Sequence, residues 1–501
     1  MAPLIWLPGQ ATAGMPRLWW LLAWGPLWLG VALVPPKGHR WPAVCWLLWA
    51  GAAAVSALWV AHPGAAIEGA LQRLSLAVGL MGGLAAGHRL SSLGHGLALI
   101  SGSLAALTQL LDPAGSFGNP DFLAGWLALC LVWSATGLRG APWQGVLLSG
   151  LGMSLMLVGL WRAGSLGAWA AVAMGTPLAL CPLRRRGPLL LIMVVLAGLL
   201  IWLAPEDDLS GLSDHIAGRL HVFEIAWQIH GGAFGVGAGG FHRAFLEAQA
   251  GYAGPWWTNA YHGHNALLHT WVEQGLIGVC LLAAPVGAAL LKLHRHPLSV
   301  VVCAAVVWSL VNPTLPAAGL GWLAGLAVGL TLSREGPAQK AERPSGILNP
   351  HLRWLWAPVA LVCTAQLITD RWLTRPEPPA LTATLSLRAE RPWRLHAQRL
   401  LDTDPEAAWR LATDAVALEP SVPGWALVGA TASASNRPEA AIAAYGEAVR
   451  LQPRLFAGHY NLSRLYEARG ERAAARRHAA RARSLRPSDP RLRDLVPSSA
   501  R

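Results

Sequence analysis

His264-Asn265-Ala266-Leu267-Leu268-His269-Thr270-Trp271-Val272-Glu273-Gln274-Gly275-Leu276-Ile277-Gly278 closes the longest polar connection between the apolar segments of this chain and runs unbroken into one of them. A histidine therefore sits where an aqueous loop becomes a helix of membrane character. At about 100° per residue, His264, Leu268, Gly275 and Gly278 share one helical sector, and the two glycines would let another helix approach closely. Spacing by itself describes an interfacial histidine above a small-residue packing seam.

The surrounding composition agrees with a membrane setting. The chain has 501 residues, 54% hydrophobic and only 13% charged, with a mean hydropathy of +0.39. A soluble chain carries about 25% charged residues. The 27 tryptophans suit membrane interfaces, where an amphipathic ring is at home. The start lacks the pattern of a cleavable signal: Pro3, Pro8 and Pro16 interrupt it, and Arg17 directly precedes the first apolar run. The formal charge is +13, and residues 391–501 hold 18 arginines against 11 acids. In a polytopic chain such an excess points to anionic lipid headgroups or phosphate-bearing substrates, not to nucleic acid. The cysteines at 45, 130, 181, 280, 303 and 363 all lie in apolar segments without CxxC spacing, which makes them packing residues.

Stretches near the length of about 20 apolar residues that a bilayer requires fall at 18–34, 41–61, 67–87, 91–111, 121–138, 142–161, 165–182, 187–204, 265–292, 298–314, 317–333 and 354–370. The fold expected is an all-α polytopic bundle of about twelve spans with a large external loop, since no alternating strands of about 10 residues occur. The third span carries Glu68, Gln72 and Arg73 and is the weakest. Basic connections at Lys37–Arg40, His88-Arg89, Arg139, Arg184–Arg186, Lys292–His296 and Arg334–Arg353 alternate with poorly charged ones, and the basic set should be cytoplasmic. The 205–264 loop then faces outward, as does the chain beyond 370. One consequence sits awkwardly: the N-terminus, with Arg17, also falls outside.

That loop opens with Glu206, Asp207 and Asp208, then offers Arg219, Phe223, Ile225, Trp227 and Ile229 on an amphipathic helix expected at the membrane surface. Gly235-Val236-Gly237-Ala238-Gly239-Gly240 formally satisfies GxGxxG, but no strand precedes it, so a tight turn is the better account than a dinucleotide site. His262 and His264 fall short of the three or four ligands that zinc takes.

The order His264-Asn265, nine residues, Gly275, two residues, Gly278, at the end of a large external loop, resembles the O-antigen ligase and O-antigen polymerase superfamily, which includes bacterial protein O-oligosaccharyltransferases. The resemblance covers roughly residues 40–335 and extends to three further places. Ser116-Phe117-Gly118-Asn119-Pro120-Asp121 is similar to a family segment that often reads Gly-Asn-Pro-Asn, with Asp121 replacing the second Asn; without the resemblance it is a turn in which Asn-Pro starts the next helix. Trp161-Arg162-Ala163-Gly164-Ser165 keeps the arginine of a family Ser-Arg-Gly, where Arg162 would otherwise be an arginine snorkelling to the interface. Arg219, Trp227 and the Gly-Val-Gly run resemble the family's loop.

The resemblance implies a metal-independent inverting glycosyltransferase without a cofactor. Its donor would be a glycan on a polyprenyl diphosphate, and its acceptor a hydroxyl on lipid, glycan or protein. His264 would be the base, biased toward its neutral form near a helix N-terminus. Arg162 and Arg219 would bind the departing diphosphate with paired planar donors. Asn265, Tyr261, His262 and Arg243 would contact substrate. A polymerase joining lipid-linked repeats differs only in its acceptor. A transporter or flippase is the reading from another class, and it would place ionisable residues inside spans, where apart from Glu68–Arg73 few are found.

Residues 371–390, with Pro376, Pro378 and Pro379, read as a linker between the membrane part at 1–370 and a C-terminal region at 391–501. There Leu418-Glu419-Pro420, Leu451-Gln452-Pro453 and Leu485-Arg486-Pro487 recur at spacings of 33 and 34. With Trp425, Gly429, Ala441, Tyr445 and Ala448 in one unit, Leu462, Tyr466, Ala475 and Ala482 in the next, and Ala408 and Ala415 in the first, this resembles a tetratricopeptide array of two to three units. Such arrays present a surface for a protein partner and carry no chemistry of their own. Its arginine-rich last helix reads as a solvated face. The whole would be a multi-pass protein of a bacterial cytoplasmic membrane, with loop and repeats on the outer, periplasmic side.

Overall fold

The computed structural model describes residues 41–60, 63–111, 120–139, 141–203, 210–229, 232–250, 260, 262–312, 320–333, 361–362, 364–365, 390–487 and 489–495. These form helices and connections, with no strand among the described residues. The first group comprises α1 (Trp41–Val55), α2 (Pro63–Leu111), α3 (Pro120–Thr136), α4 (Trp143–Ala163), α5 (Leu166–Leu180) and α6 (Arg186–Leu203). It continues with α7 (Ser210–Gln228), α8 (Phe241–Ala250), α9 (Ala266–Leu290), α10 (Ser299–Ser309) and α11 (Leu320–Leu332). Among the described residues, three stretches are long and apolar enough to cross a membrane: Trp41–Leu58, Trp143–Ala163 and Ala266–Leu290. Outward faces in the bundle are apolar too. Leu147, Leu148, Leu151 and Val158 of α4, and Leu191, Ile192 and Val195 of α6, are all exposed, an arrangement water disfavours over so broad a patch.

Two of the expected spans, 67–87 and 91–111, lie in the single helical stretch α2, yet its two halves run in opposite directions. Gly79 and Gly83 press against the backbone around Trp322 and Leu326 of α11, with Gly325 and Gly329 pressing back on Leu76 and Leu80, so this half runs parallel to α11. Both glycine pairs are spaced four apart, and a Cβ at any of them would collide with the facing backbone. The second half runs antiparallel to α3: Gly94 meets Trp133, Gly102 meets Cys130, and Ala106 and Gln109 gather with Leu127 around Gly159 of α4. A straight helix of 49 residues would span about 74 Å, which these contacts do not permit.

Basic residues cluster at one end of the bundle and bond backbone carbonyls there. Arg139 donates to Leu180 O at 2.7 Å and Lys292 to Thr331 O at 3.1 Å, at the ends of α5 and α11, and Arg186 donates to His296 O at 3.1 Å in the connection between α9 and α10. At the two helix ends, free carbonyls and the negative end of the helix dipole account for the preference. The opposite end carries the starts of α3 and α9, where the candidate residues lie.

The C-terminal residues form consecutive helices that each pack on the next: α12 (Glu390–Leu400), α13 (Pro405–Leu418), α14 (Val422–Ala434), α15 (Pro438–Leu451), α16 (Phe456–Ala468) and α17 (Arg472–Leu485). Asp404 and Ser421 cap α13 and α14 through the amides of Ala407 and Gly424. Ala408, Ala415, Ala441, Tyr445, Ala448, Leu462, Ala475 and Ala482 are buried, and Gly429 lies flat against the Tyr445 ring. This region touches the loop before α9: Leu246 of α8 is buried with Val422 and Leu451.

The expected spans at 18–34 and, save for four residues, 354–370 fall outside the described residues. So do Ser116–Asn119, Tyr261 and nearly all of the 371–390 linker.

Candidate functional site

The helix that follows His264 begins one residue later than a continuous face would need. Asn265 is the N-cap of α9, its side-chain oxygen accepting from the amides of Leu267 at 2.9 Å and Leu268 at 3.1 Å. His264 precedes the cap with φ +48°, in the left-handed region that residues with a Cβ seldom enter. The helix also ends its first run early, because Gly275 takes φ +61° and ψ −160°. The single sector proposed for His264, Leu268, Gly275 and Gly278 is therefore corrected: one residue lies before the helix and another interrupts it.

What approaches Gly275 is a loop, not a second helix. Ala233 backbone stands where a Cβ on Gly275 would go, while a Cβ on Gly278 would meet only side chains of its own helix. The glycine run 235–240 lies along the break, where Val236 N donates to Val272 O at 2.8 Å and Gly237 N to Glu273 O at 2.9 Å. Ile277 N on the far side donates to Ala233 O at 3.3 Å. Carbonyls freed by the break thus regain donors, which a buried backbone requires. Gly235, at φ +71°, fits because its missing Cβ leaves room for the backbone of Glu273 and Gln274.

His264 is half-buried, and its charged neighbours come from two other elements. Arg219 of α7 and Asp121 in the first turn of α3 both act on it. Burial, and then the Arg219 guanidinium, hold the imidazole below its ordinary pKa, with Asp121 pulling the other way. The outcome is a neutral ring at pH 7, available to accept a proton. Arg219 is itself half-buried. Its helix packs on α9 by Val222, Ile225 and Ala226, which are buried with Val272, and by Trp227 stacked on Trp271 at 5.7 Å. Trp227 is otherwise exposed, so the buried stripe of α7 is Val222, Ile225, Ala226 and Ile229.

The remaining candidates lie in different settings. Arg162 is exposed on the last turn of α4, beside Gly164, and makes no hydrogen bond or ion pair among the described residues. Because α4 runs antiparallel to α3, it does reach the end of the bundle where Asp121 sits. Arg243 is exposed on α8 and paired with Glu247 at 2.9 Å. His262 is exposed, its ring edge-on to His269 at 5.7 Å.

Beneath them is a group that motif reading passes over. Arg73 Nη2 meets Glu273 Oε2 at 2.6 Å, each side chain 3% exposed. Arg73 Nε also donates to Gln274 Oε1 at 2.7 Å and the guanidinium lies 5.2 Å from the Trp49 ring. Gln274 in turn donates to Trp49 O at 2.9 Å, and Glu273 Oε1 accepts from Gly239 N at 2.9 Å with His269 Nε2 at 3.4 Å. The signal in sequence is a pair of unlike charges in two apolar segments, Arg73 (which shares its segment with Glu68) and Glu273, because charges buried in such segments must pair. Among the described residues no three histidine, cysteine or acidic side chains converge as a cation site.

Compared with known proteins, the chain matches no family model, and no curated protein matches it.

Proposed function

We propose that the chain is a membrane glycosyltransferase that moves a glycan from a polyprenyl diphosphate to a hydroxyl acceptor, in the manner of an O-antigen ligase. The observation that carries this reading is a half-buried His264, held below its ordinary pKa and under the influence of Arg219 and Asp121, at the end of an apolar bundle opposite the basic one. In the reaction, His264 takes the acceptor hydroxyl proton as the oxygen attacks the anomeric carbon from the face opposite the leaving group. The bond to the diphosphate breaks, and Arg219, with Arg162 reaching in from α4, takes up its charge. A base of this kind contributes about 10²–10⁴-fold, and charge stabilisation and positioning supply the rest.

The same reading sets the finer architecture. The bundle would have about twelve spans in a bacterial cytoplasmic membrane, with the basic end cytoplasmic. Five crossings would follow Arg184–Arg186, which places α12–α17 outside as a tetratricopeptide array. The contact of Leu246 with Val422 and Leu451 supports that side, since it puts those helices against the loop that carries Arg219. His264→Ala should abolish glycan transfer in proteoliposomes given a polyprenyl-diphosphate glycan, with insertion and thermal stability kept. Undiminished transfer by that variant would remove the mechanism.

A further inference from the structure

We infer that the buried Arg73–Glu273 pair positions Arg219 against His264, by locking the glycine loop into the break of α9. The inference rests on His264 being the base.

An ion pair with both partners 3% exposed is seldom there for stability alone, since apolar side chains of similar volume usually serve as well or better. Here its hydrogen bonds tie together segments far apart in sequence. The Glu273 carboxylate holds Arg73 of α2 and the amide of Gly239, and the Glu273 carbonyl holds the amide of Gly237. Gln274, next in the chain, joins Arg73 to the Trp49 carbonyl of α1. A second anchor, Ser56 Oγ, accepts from Ala238 N at 3.0 Å. Four segments therefore meet at the two residues before Gly275.

The loop so held is the connection between α7 and α8. On one side it leads back to α7 and Arg219. On the other it passes at once into Phe241, whose ring lies 5.0 Å from that of His269, one turn into α9 from the residues flanking His264. Freeing the loop leaves α7 held by its packing on α9 through Val222, Ile225 and Ala226, and lets Arg219 draw back from His264. The charged groups facing His264 are Arg219 from α7 and Asp121 from α3. Withdrawal of Arg219 would leave burial alone to oppose Asp121, and the imidazole would hold its proton to higher pH than in the parent protein.

Two variants of the full-length protein test this, Glu273→Gln and the milder Ser56→Ala. The midpoint of His264 is followed by NMR of ¹³C-labelled histidine, with its signal identified from His264→Gln, beside the pH dependence of transfer. In Glu273→Gln the midpoint should rise by about half a pH unit or more, and turnover should fall about 100-fold with a smaller change in donor KM. Ser56→Ala should move both in the same direction by less. An unmoved midpoint in Ser56→Ala, together with an unmoved midpoint or no folded protein in Glu273→Gln, would make the pair a fold support only and overturn the proposal. Because the titration does not need turnover, it reads positioning even if His264→Ala remains active and the base assignment fails.

Discussion

At His264 burial and the Arg219 charge are set against Asp121, and the balance has a testable signature. Arg219 and the loss of water favour the neutral ring, whereas Asp121 favours the imidazolium. A base must be unprotonated to act, so transfer should fall on acidification with a midpoint below the ordinary histidine value of about 6.5. Arg219→Ala removes a positive neighbour, so the midpoint should move to higher pH and turnover at pH 7 should drop. Arg219→Lys keeps the charge and should leave the midpoint near that of the parent protein. It loses the planar pair of donors that suits a diphosphate, so its rate should still drop sharply. A pH–rate series on the three proteins reads both effects. If Arg219→Ala loses rate with no movement of the acidic limb, the two side chains do not communicate.

Among the elements, α9 is the one whose continuity matters most. Its first run presents a capped start behind His264, and its interruption at Gly275 accepts the loop on which Arg219 depends. A side chain at Gly275 meets two obstacles: φ and ψ fall in a region essentially confined to glycine, and Ala233 backbone occupies the Cβ position. Gly275→Ala should therefore lower thermal stability well beyond the usual cost of about 1 kcal/mol for a single substitution. Gly287→Ala in the same helix has open space around its Cβ and should be neutral or slightly stabilising. Equal melting temperatures for the two variants would mean that the break is not needed for the fold. The α2–α11 seam is a second case of backbone meeting backbone, with Gly79, Gly83, Gly325 and Gly329 providing the approach.

On the scale of the whole molecule, the helices from α12 onward are attached to the candidate site through α8. Leu246 faces Val422 and Leu451 on one side of that helix, while Phe241 and Phe245 join the core with Val272 on the other. An acceptor or assembly partner held on those helices would lie near His264 at raised effective concentration. Leu246→Asp, or removal of 391–501, should raise the acceptor KM and leave donor binding nearly unchanged. The side of the membrane is open to a direct measurement: Ala434→Cys, exposed at the end of α14, in a cysteine-free background should react with an impermeant thiol reagent on intact cells. Labelling only after the inner membrane is opened would put these helices in the cytoplasm and end this role.

How much of this was legible in the chain divides along physical lines. Periodicity and composition are local, and they determined by themselves the helical class, the apolar segments, the 33- and 34-residue period of the C-terminal helices and the junction at His264-Asn265. Helical spacing also suggested one face from His264 to Gly278, and there it misled, because a glycine reads alike whether a helix packs on it or the backbone breaks at it. Only the tertiary structure decided which. It brought the 235–240 loop into the break, put His264 under the influence of Asp121 and Arg219 and paired Arg73 with Glu273 across 200 residues of chain. Those pairings depend on how separate segments cross in space. A charge in an apolar segment signals that a partner is needed, but which charge answers it is fixed by packing alone.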